Sequence, residues 1–343
     1  MPGTRTEPDL SLLSVSHLSQ DPAHPYSSWP SIPPNPIGRL VLLTPSVTAA
    51  ASKEIINGKR FSLDQSVYPS GASLYGRLQG EHYVKRVDKG PKTREEAKKK
   101  GERYHACFDD FIHINTQGST QWDYFLHYSY RESGLFYGGL DADDIEAQKT
   151  GDIGVAAIAR AGGVQTRAIL VDLPYYFASN NLPPLDPLSF PSSTTIDLPL
   201  LRRALQFFKL EPRVGDVLLV RTGFEHALEA DHARVARGEK TVLDAKFAGV
   251  QANEEVVKWI WETGFVAVGS DNPTFEEWRP EFPDMLLHPI LLSGQGIMIG
   301  ELLRLAELGE ECKRQDRWSF FFSSCPLMIE HGVASPPSAV AIF

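Results

Sequence analysis

The chain has 343 residues, and its 34 Lys and Arg against 43 Asp and Glu give a formal net charge of −9. An apolar fraction of 42%, with 22% charged residues, 27 Gly and 25 Pro, excludes a disordered, collagenous or coiled-coil chain and permits a large core. The acidic balance argues against nucleic acid or an anionic membrane as partner, since both need a basic surface.

Residues 1–37 are rich in Pro and Ser with little periodicity, and read as an irregular segment that wraps the surface. No positively charged start followed by an apolar stretch marks a secretory leader. Regular signals begin at Arg39, and residues 38–343 read as a single α/β domain. Residues 39–43 suggest a strand, and Ser46 can cap a helix over 47–57 that stops at Gly58. The Lys-rich run 85–100, mixed with Glu95 and Glu96, reads as solvated surface. Strand signals follow at 111–114 and 119–127 around a turn at Gly118, then a helix at 153–161 ended by Gly162 and Gly163, then a buried strand at 167–173.

The second half repeats this alternation. Pro199 opens an amphipathic helix over 200–210, 217–221 is a buried strand, and Asn253 caps a helix over 254–263 that Gly264 ends. Strands at 265–268, 318–323 and 339–343 and a helix at 300–308 complete an α/β chain around a mixed sheet. Residues 285–300 are the most apolar stretch, but His288, Ser293, Gln295 and three glycines make it no membrane helix. Cys107, Cys312 and Cys325 lack CxxC spacing; they suit a reduced, cytoplasmic compartment and read as buried small apolar residues. No phosphate-cradling glycine loop is present.

The densest polar constellation runs from Asp109 to His127. On a strand, Gln117, Ser119, Gln121, Asp123 and His127 all have odd numbers and share one face. An Asp and a His on that face can hold a metal, act as an acid/base pair, or belong to a structural polar network. A second cluster carries His288 before an apolar segment and Glu301 at the start of the expected helix, where the helix dipole favours a carboxylate. Asp271 fits either a ligand site at a strand end or a turn. Trp122, Tyr124, Phe125, Tyr128 and Tyr130 fit a pocket for a planar substrate, a core, or a subunit interface. Arg221 is expected in a structural ion pair.

The run Gln117-Gly-Ser119-Thr120-Gln121-Trp122-Asp123-Tyr-Phe-Leu-His127 resembles, in spacing, the H-x-G-T-H-x-D-x-P-x-H motif of the cyclase family that includes kynurenine formamidase and isatin hydrolase. The likeness extends through TGDIGVAAIARAGGVQTRAILVDL, GDVLLVRTGF, FVAVGSDNPTFE, LLHPILLSGQGIMIGELLRL and the C-terminal strands, from about Gly38 onward, and looks like a fungal branch. It implies a swivelling β/β/α-type fold, a homodimer or homotetramer, and a divalent-metal (Zn or Mn) hydrolase acting on an amide, cyclic amide or lactone of a small aromatic molecule, in a pathway like tryptophan catabolism or secondary metabolism. Carried over by position, the metal set is Gln117, Gln121, Asp123, His288 and Glu301, with His127 as acid/base. Two imidazoles are amides here, and a neutral Gln carbonyl is a poor zinc ligand. Asp123, His288 and Glu301 remain as a three-ligand set. Gln117, Gln121, Ser119 and Trp122 would then orient the substrate or an oxyanion. The alternative is a metal-free cyclase, isomerase or lyase using His127 and Asp123.

Overall fold

A computed structural model describes residues 7–67, 76–78, 80–188, 195–239, 247–278 and 285–343. Its strands are β1 (Arg60–Ser62), β2 (Glu81–Arg86), β3 (Phe108–His113), β4 (Gln121–Asp123), β5 (Val164–Asp172), β6 (Val217–Arg221), β7 (Ala267–Ser270), β8 (Met298–Glu301), β9 (Ser319–Ser324), β10 (Ala334–Ser335) and β11 (Ala339–Ile342). Its α-helices are α1 (Pro45–Ala51), α2 (Arg94–Lys100), α3 (Ala142–Glu146), α4 (Ala156–Arg160), α5 (Leu173–Ser179), α6 (Leu198–Phe207), α7 (Phe224–Ala236), α8 (Glu254–Thr263) and α9 (Ala306–Gln315).

Nine strands form one mixed sheet in the order β1-β11-β9-β5-β6-β7-β8-β4-β10, while β2 and β3 form a separate ribbon. The core of the sheet is the parallel run β5, β6, β7, β8, extended on both sides by antiparallel strands. The central strands are apolar runs because both faces are covered: β6 is buried at every position. β9 alternates instead, burying Phe320, Phe322 and Ser324. The chain is therefore α/β with a mixed central sheet, as the sequence implies.

Helix boundaries follow local chemistry. The Asn253 side chain accepts the Val256 N–H at the start of α8, and Gly264 ends it in the left-handed region at φ 79°. Asp197 caps α6 in the same way, with Pro199 in its first turn.

Four expectations need correction. Residues 39–43 lie in a 3₁₀ turn, Gly38–Leu42, not a strand: Arg39 makes a single backbone bond to Gly296 O, and its guanidinium donates to the Leu12 and Trp261 carbonyls. The 119–127 strand shrinks to β4, because the chain turns after Tyr124 and His127 N bonds Tyr124 O. The helix expected over 300–308 is replaced by β8, and α9 begins only at Ala306. Leu302 adopts φ 52° and donates its N–H to Asn272 O, which ends the strand and excludes a helix there. Of the cysteines only Cys312 is buried; Cys107 and Cys325 are exposed.

The irregular N-terminal segment does more than wrap. Trp29 is buried and its indole N–H donates to Ser293 O at 2.7 Å, while Ser28 N donates to Gly294 O. Both contacts fall on a π-helix, Pro289–Gly294.

Candidate active site

Three segments build the site. The first is β4, which lies antiparallel to β8 with Gln121 directly opposite Glu301. Facing residues of such a pair point the same way, and Gln121 Nε2 donates to Glu301 Oε2 at 2.6 Å. Asp123, two positions along β4, shares that face and is completely buried. The second segment is the pair of loops flanking β4. They carry Gln117 and His127 back to Asp123: Gln117 Nε2 lies 2.6 Å from Asp123 Oδ1 and 2.9 Å from His127 Nδ1.

The third segment is the π-helix, at whose head His288 sits. π-turns occur mostly as local bulges at functional sites. His288 Nε2 lies 3.0 Å from Glu301 Oε1 and 3.8 Å from Asp123 Oδ2. Its other nitrogen, Nδ1, lies 2.7 and 2.8 Å from the two oxygens of Glu276, which also accepts the His288 backbone N–H. Glu276 thereby fixes the ring so that Nε2 faces the two carboxylates. The cluster lies at the carboxyl end of β8, where open α/β sheets place their ligands.

Its electrostatics are sharply divided. Burial pushes the Asp123 carboxyl up, but the charges of His127 and His288 outweigh it and hold the group below the usual range. Glu276 is likewise held low against burial by His288. His288 is raised: Glu276, Asp123 and Glu301 together overcome burial. Glu301 is pushed up to about 7, by burial first and then by Asp123. His127 is lowered: burial outweighs the opposing pull of Asp123.

These donors suit a cation. Asp123 Oδ2 and Glu301 Oε1 are buried without a well-aligned hydrogen bond and face imidazole nitrogens instead, His288 Nε2 at 3.8 and 3.0 Å and, for Asp123, His127 Nε2 at 3.8 Å; buried polar atoms left so are commonly completed by an ion or water. Both oxygens flank His288 Nε2. His127, with Asp123 and His288, brings a ligand atom within 4.8 Å of the others. Asp123, His288 and Glu301 supply two anionic oxygens and one imidazole, a donor set for Zn or Mn.

The amides take other work. Gln121 gives its N–H to Glu301 and receives Arg77 Nη1 on Oε1 at 3.2 Å. Arg77 also donates to the Gln117 carbonyl. Ser119 and Trp122 do not reach the cluster: Ser119 Oγ bonds Ser66 O, and Trp122 points to the opposite face of β4, its indole N–H on Ser324 Oγ. Of the aromatic run, Trp122, Tyr124, Phe125 and Tyr130 are buried in the core, whereas Tyr128 lies 5.6 Å from His288, ring to ring. Asp271 is structural, accepting the N–H groups of Thr222 and Gly223 to join the ends of β6 and β7. Arg221 pairs with Asp172. Glu276 and Arg77 had escaped the sequence reading. The first could be suspected only from an acidic residue inside the resembling VGSDNPTFE segment, and the second from nothing local.

Solvent reaches the site through His127, whose side chain is 22% exposed; Asp123, His288, Glu276 and Glu301 are buried.

Among known proteins, the family described as "Putative cyclase" matches residues 23–277. A solved structure described as a novel cyclase is 27% identical, covering 92% of this chain and 99% of its own, at a TM-score of 0.72. Isatin hydrolase A from Ralstonia solanacearum (16% identity, 87% and 95% coverage, TM-score 0.53) shares the fold. So does isatin hydrolase A from Labrenzia aggregata, described with bound benzyl benzoate (14%, 86% and 96%, 0.52). No curated protein sequence matches. The family match spans most of the chain, and the nine-stranded sheet agrees with it: this chain belongs to the cyclase family.

Proposed function

We propose that the chain hydrolyses an amide, cyclic amide or lactone of a small aromatic molecule, with one divalent cation held by Asp123, His288 and Glu301 and with His127 as the acid/base. The observation that carries this reading is the pair of buried carboxylate oxygens without an aligned hydrogen bond, Asp123 Oδ2 and Glu301 Oε1, on either side of His288 Nε2. A bound cation would supply Lewis-acid polarisation and an acidified water. The fold shared with isatin hydrolases supports ring-opening of a cyclic amide as the first chemistry to try.

The chain's own residues do the rest. Glu276 holds His288 Nδ1–H and so fixes which nitrogen faces the site. Gln121 orients Glu301, and Gln117 orients both Asp123 and His127. His127, the partly exposed member of the cluster, takes a proton from the attacking water and returns it to the leaving nitrogen or oxygen. Water adds to the carbonyl carbon, the C–N or C–O bond breaks, and a carboxylic acid and an amine or alcohol result. Burial of the remaining groups excludes bulk solvent.

One observation favours a second reading, a metal-free cyclase, isomerase or lyase. His288 is pushed towards its charged form among Asp123, Glu276 and Glu301, with Arg77 at the edge, so cationic side chains offset much of the negative charge. Elemental analysis of the purified protein, combined with turnover before and after chelation, separates the two. One Zn or Mn per chain, with turnover of isatin-like lactams or N-acyl anilines lost on chelation and regained on metal addition, is expected. Full turnover by metal-free protein would overturn the metal reading.

A further inference from the structure

The wide turn that carries His288 is completed by a distant part of the chain. In the π-helix Pro289–Gly294 the carbonyls of Ile290, Leu291 and Leu292 accept the N–H groups of Gln295, Ile297 and Gly296, all close in sequence. The next carbonyls accept donors from residues 28–39. Ser293 O takes the Trp29 indole N–H at 2.7 Å. Gly294 O takes the Ser28 N–H at 2.9 Å and the Ser28 hydroxyl at 3.1 Å, and Gly296 O takes the Arg39 N–H at 2.8 Å. The last carbonyls of a helix must find partners from outside it, and a π-turn is a single-turn bulge with few bonds of its own.

The same strap grips the other half of the site. Tyr124 OH donates to Pro36 O at 2.6 Å and Tyr130 OH to Pro25 O at 2.9 Å, one on each side of His127 in sequence. A Cβ on Gly38 would fall 2.2 Å from Gly296 O and 2.4 Å from the Phe125 ring, so the strap is wedged between the two elements with no room to spare. We propose that residues 25–39 set the spacing of His127 and His288, whose ring centroids lie 6.2 Å apart, and that Trp29 is the positioning residue at the centre of the strap. Trp29 acts through Ser293: it holds the carbonyl of the residue whose hydroxyl donates to Tyr128 O at 2.7 Å, next to His127. A displacement of about 1 Å in such a cluster can cost on the order of 100-fold in rate. The consequence for catalysis rests on the hydrolase reading above; the spacing of the two rings does not.

Trp29→Phe keeps a buried aromatic ring and removes the N–H donor. Two measurements on the full chain test the strap: the proton–nitrogen correlation spectrum of the imidazoles in histidine-labelled protein without added metal, and calorimetric titration with Zn. In the variant the His127 and His288 ring signals are expected to shift together at unchanged far-UV circular dichroism. Zn affinity should fall about tenfold, the lower end of the loss typical of groups that orient metal ligands. Asp197→Ala, which removes the cap of α6, controls for a general loss of stability and should leave both measurements at their wild-type values. Should Trp29→Phe fail to fold, Tyr130→Phe, which loses only the hydroxyl on Pro25 O, is expected to shift the same signals. Unshifted rings with wild-type Zn affinity in the folded variant, or equal shifts in Asp197→Ala, overturn the proposal. A wild type that takes up no Zn counts against the metal reading instead, and the ring spectrum then decides the strap's role by itself.

Discussion

Gln121 illustrates how an amide can shape a carboxylate cluster from its edge. Its N–H orients Glu301 and its oxygen is held by Arg77, so its task is to aim a carboxylate. Glu276 does the same for His288, and because such partners raise ligand basicity, Glu276→Gln is expected to weaken cation affinity about 10–100-fold, read by calorimetric titration; unchanged affinity would reduce Glu276 to core filling. His127→Ala should lower turnover by about 10²–10⁴ while leaving cation stoichiometry and melting temperature nearly unchanged. Loss of fold instead would make it a core histidine. Glu301 gives a pH signature in the cation-free protein. Its folded pKa, about 7, exceeds its ordinary value of 4.5, so the stability it contributes is complete below the lower value and is lost as pH rises through the higher one. Denaturant midpoints measured from pH 5 to 8 should therefore fall more steeply for the chelated wild type than for Glu301→Gln. Parallel curves would show that the carboxyl is already ionised. At this scale the sequence was partly legible. The spacing from Gln117 to His127 singled out the residues that meet around Asp123, but partners such as Glu276 and Arg77 are chosen by the folded neighbourhood and leave no local pattern.

Elements carry these residues, and the decisive one is the π-helix. Ser293, inside it, lies 2.7 Å from Tyr128 O and 3.1 Å from Phe125 O, on the turn that bears His127. One hydroxyl thus fastens the His127 turn to the element headed by His288. Ser293→Ala removes the one hydroxyl proton that Tyr128 O and Phe125 O share, and about 1–3 kcal/mol of stability should go with it, together with a fall in kcat larger than any change in KM. Wild-type stability and kcat would make the hydroxyl incidental. Helices with caps were readable: Asn253 and Gly264 bound α8 as expected. The segment around Glu301 was not, since Leu302, Leu303 and Leu305 mimic a helical face while Leu303 and Leu305 pack into the main core and Leu302 joins a separate cluster with Phe224, Leu228 and Phe247. Leu302 occupies a left-handed conformation that propensity disfavours and tertiary contacts impose. The same override shortened the 119–127 strand, where alternation of polar residues reflected convergence from loops as much as a pleat.

At the level of the whole molecule, the alternation of apolar runs and amphipathic helices was enough to give an α/β chain with a mixed sheet, because burial on both faces leaves a plain compositional mark in β5, β6 and β7. Strand order was beyond it: β4 lies between β8 and β10, partners distant in sequence. One buried ion pair helps hold the centre of that sheet. Arg167 grips Asp216 through two bonds of 2.8 and 2.6 Å, linking β5 to the start of β6. Asp216→Ala leaves the guanidinium uncompensated and should cost about 3–5 kcal/mol, whereas replacing both partners by apolar residues of similar volume should recover most of that. Equal losses for the single and double variants, by urea midpoint, would contradict this. The thiols, finally, offer a practical handle. Cys312 is shut away while Cys107 and Cys325 face solvent, so Cys325→Ser leaves one reactive sulfur, immediately before β3 on the ribbon. A fluorophore or spin label attached there would report the ribbon's surroundings in real time without disturbing the buried cluster.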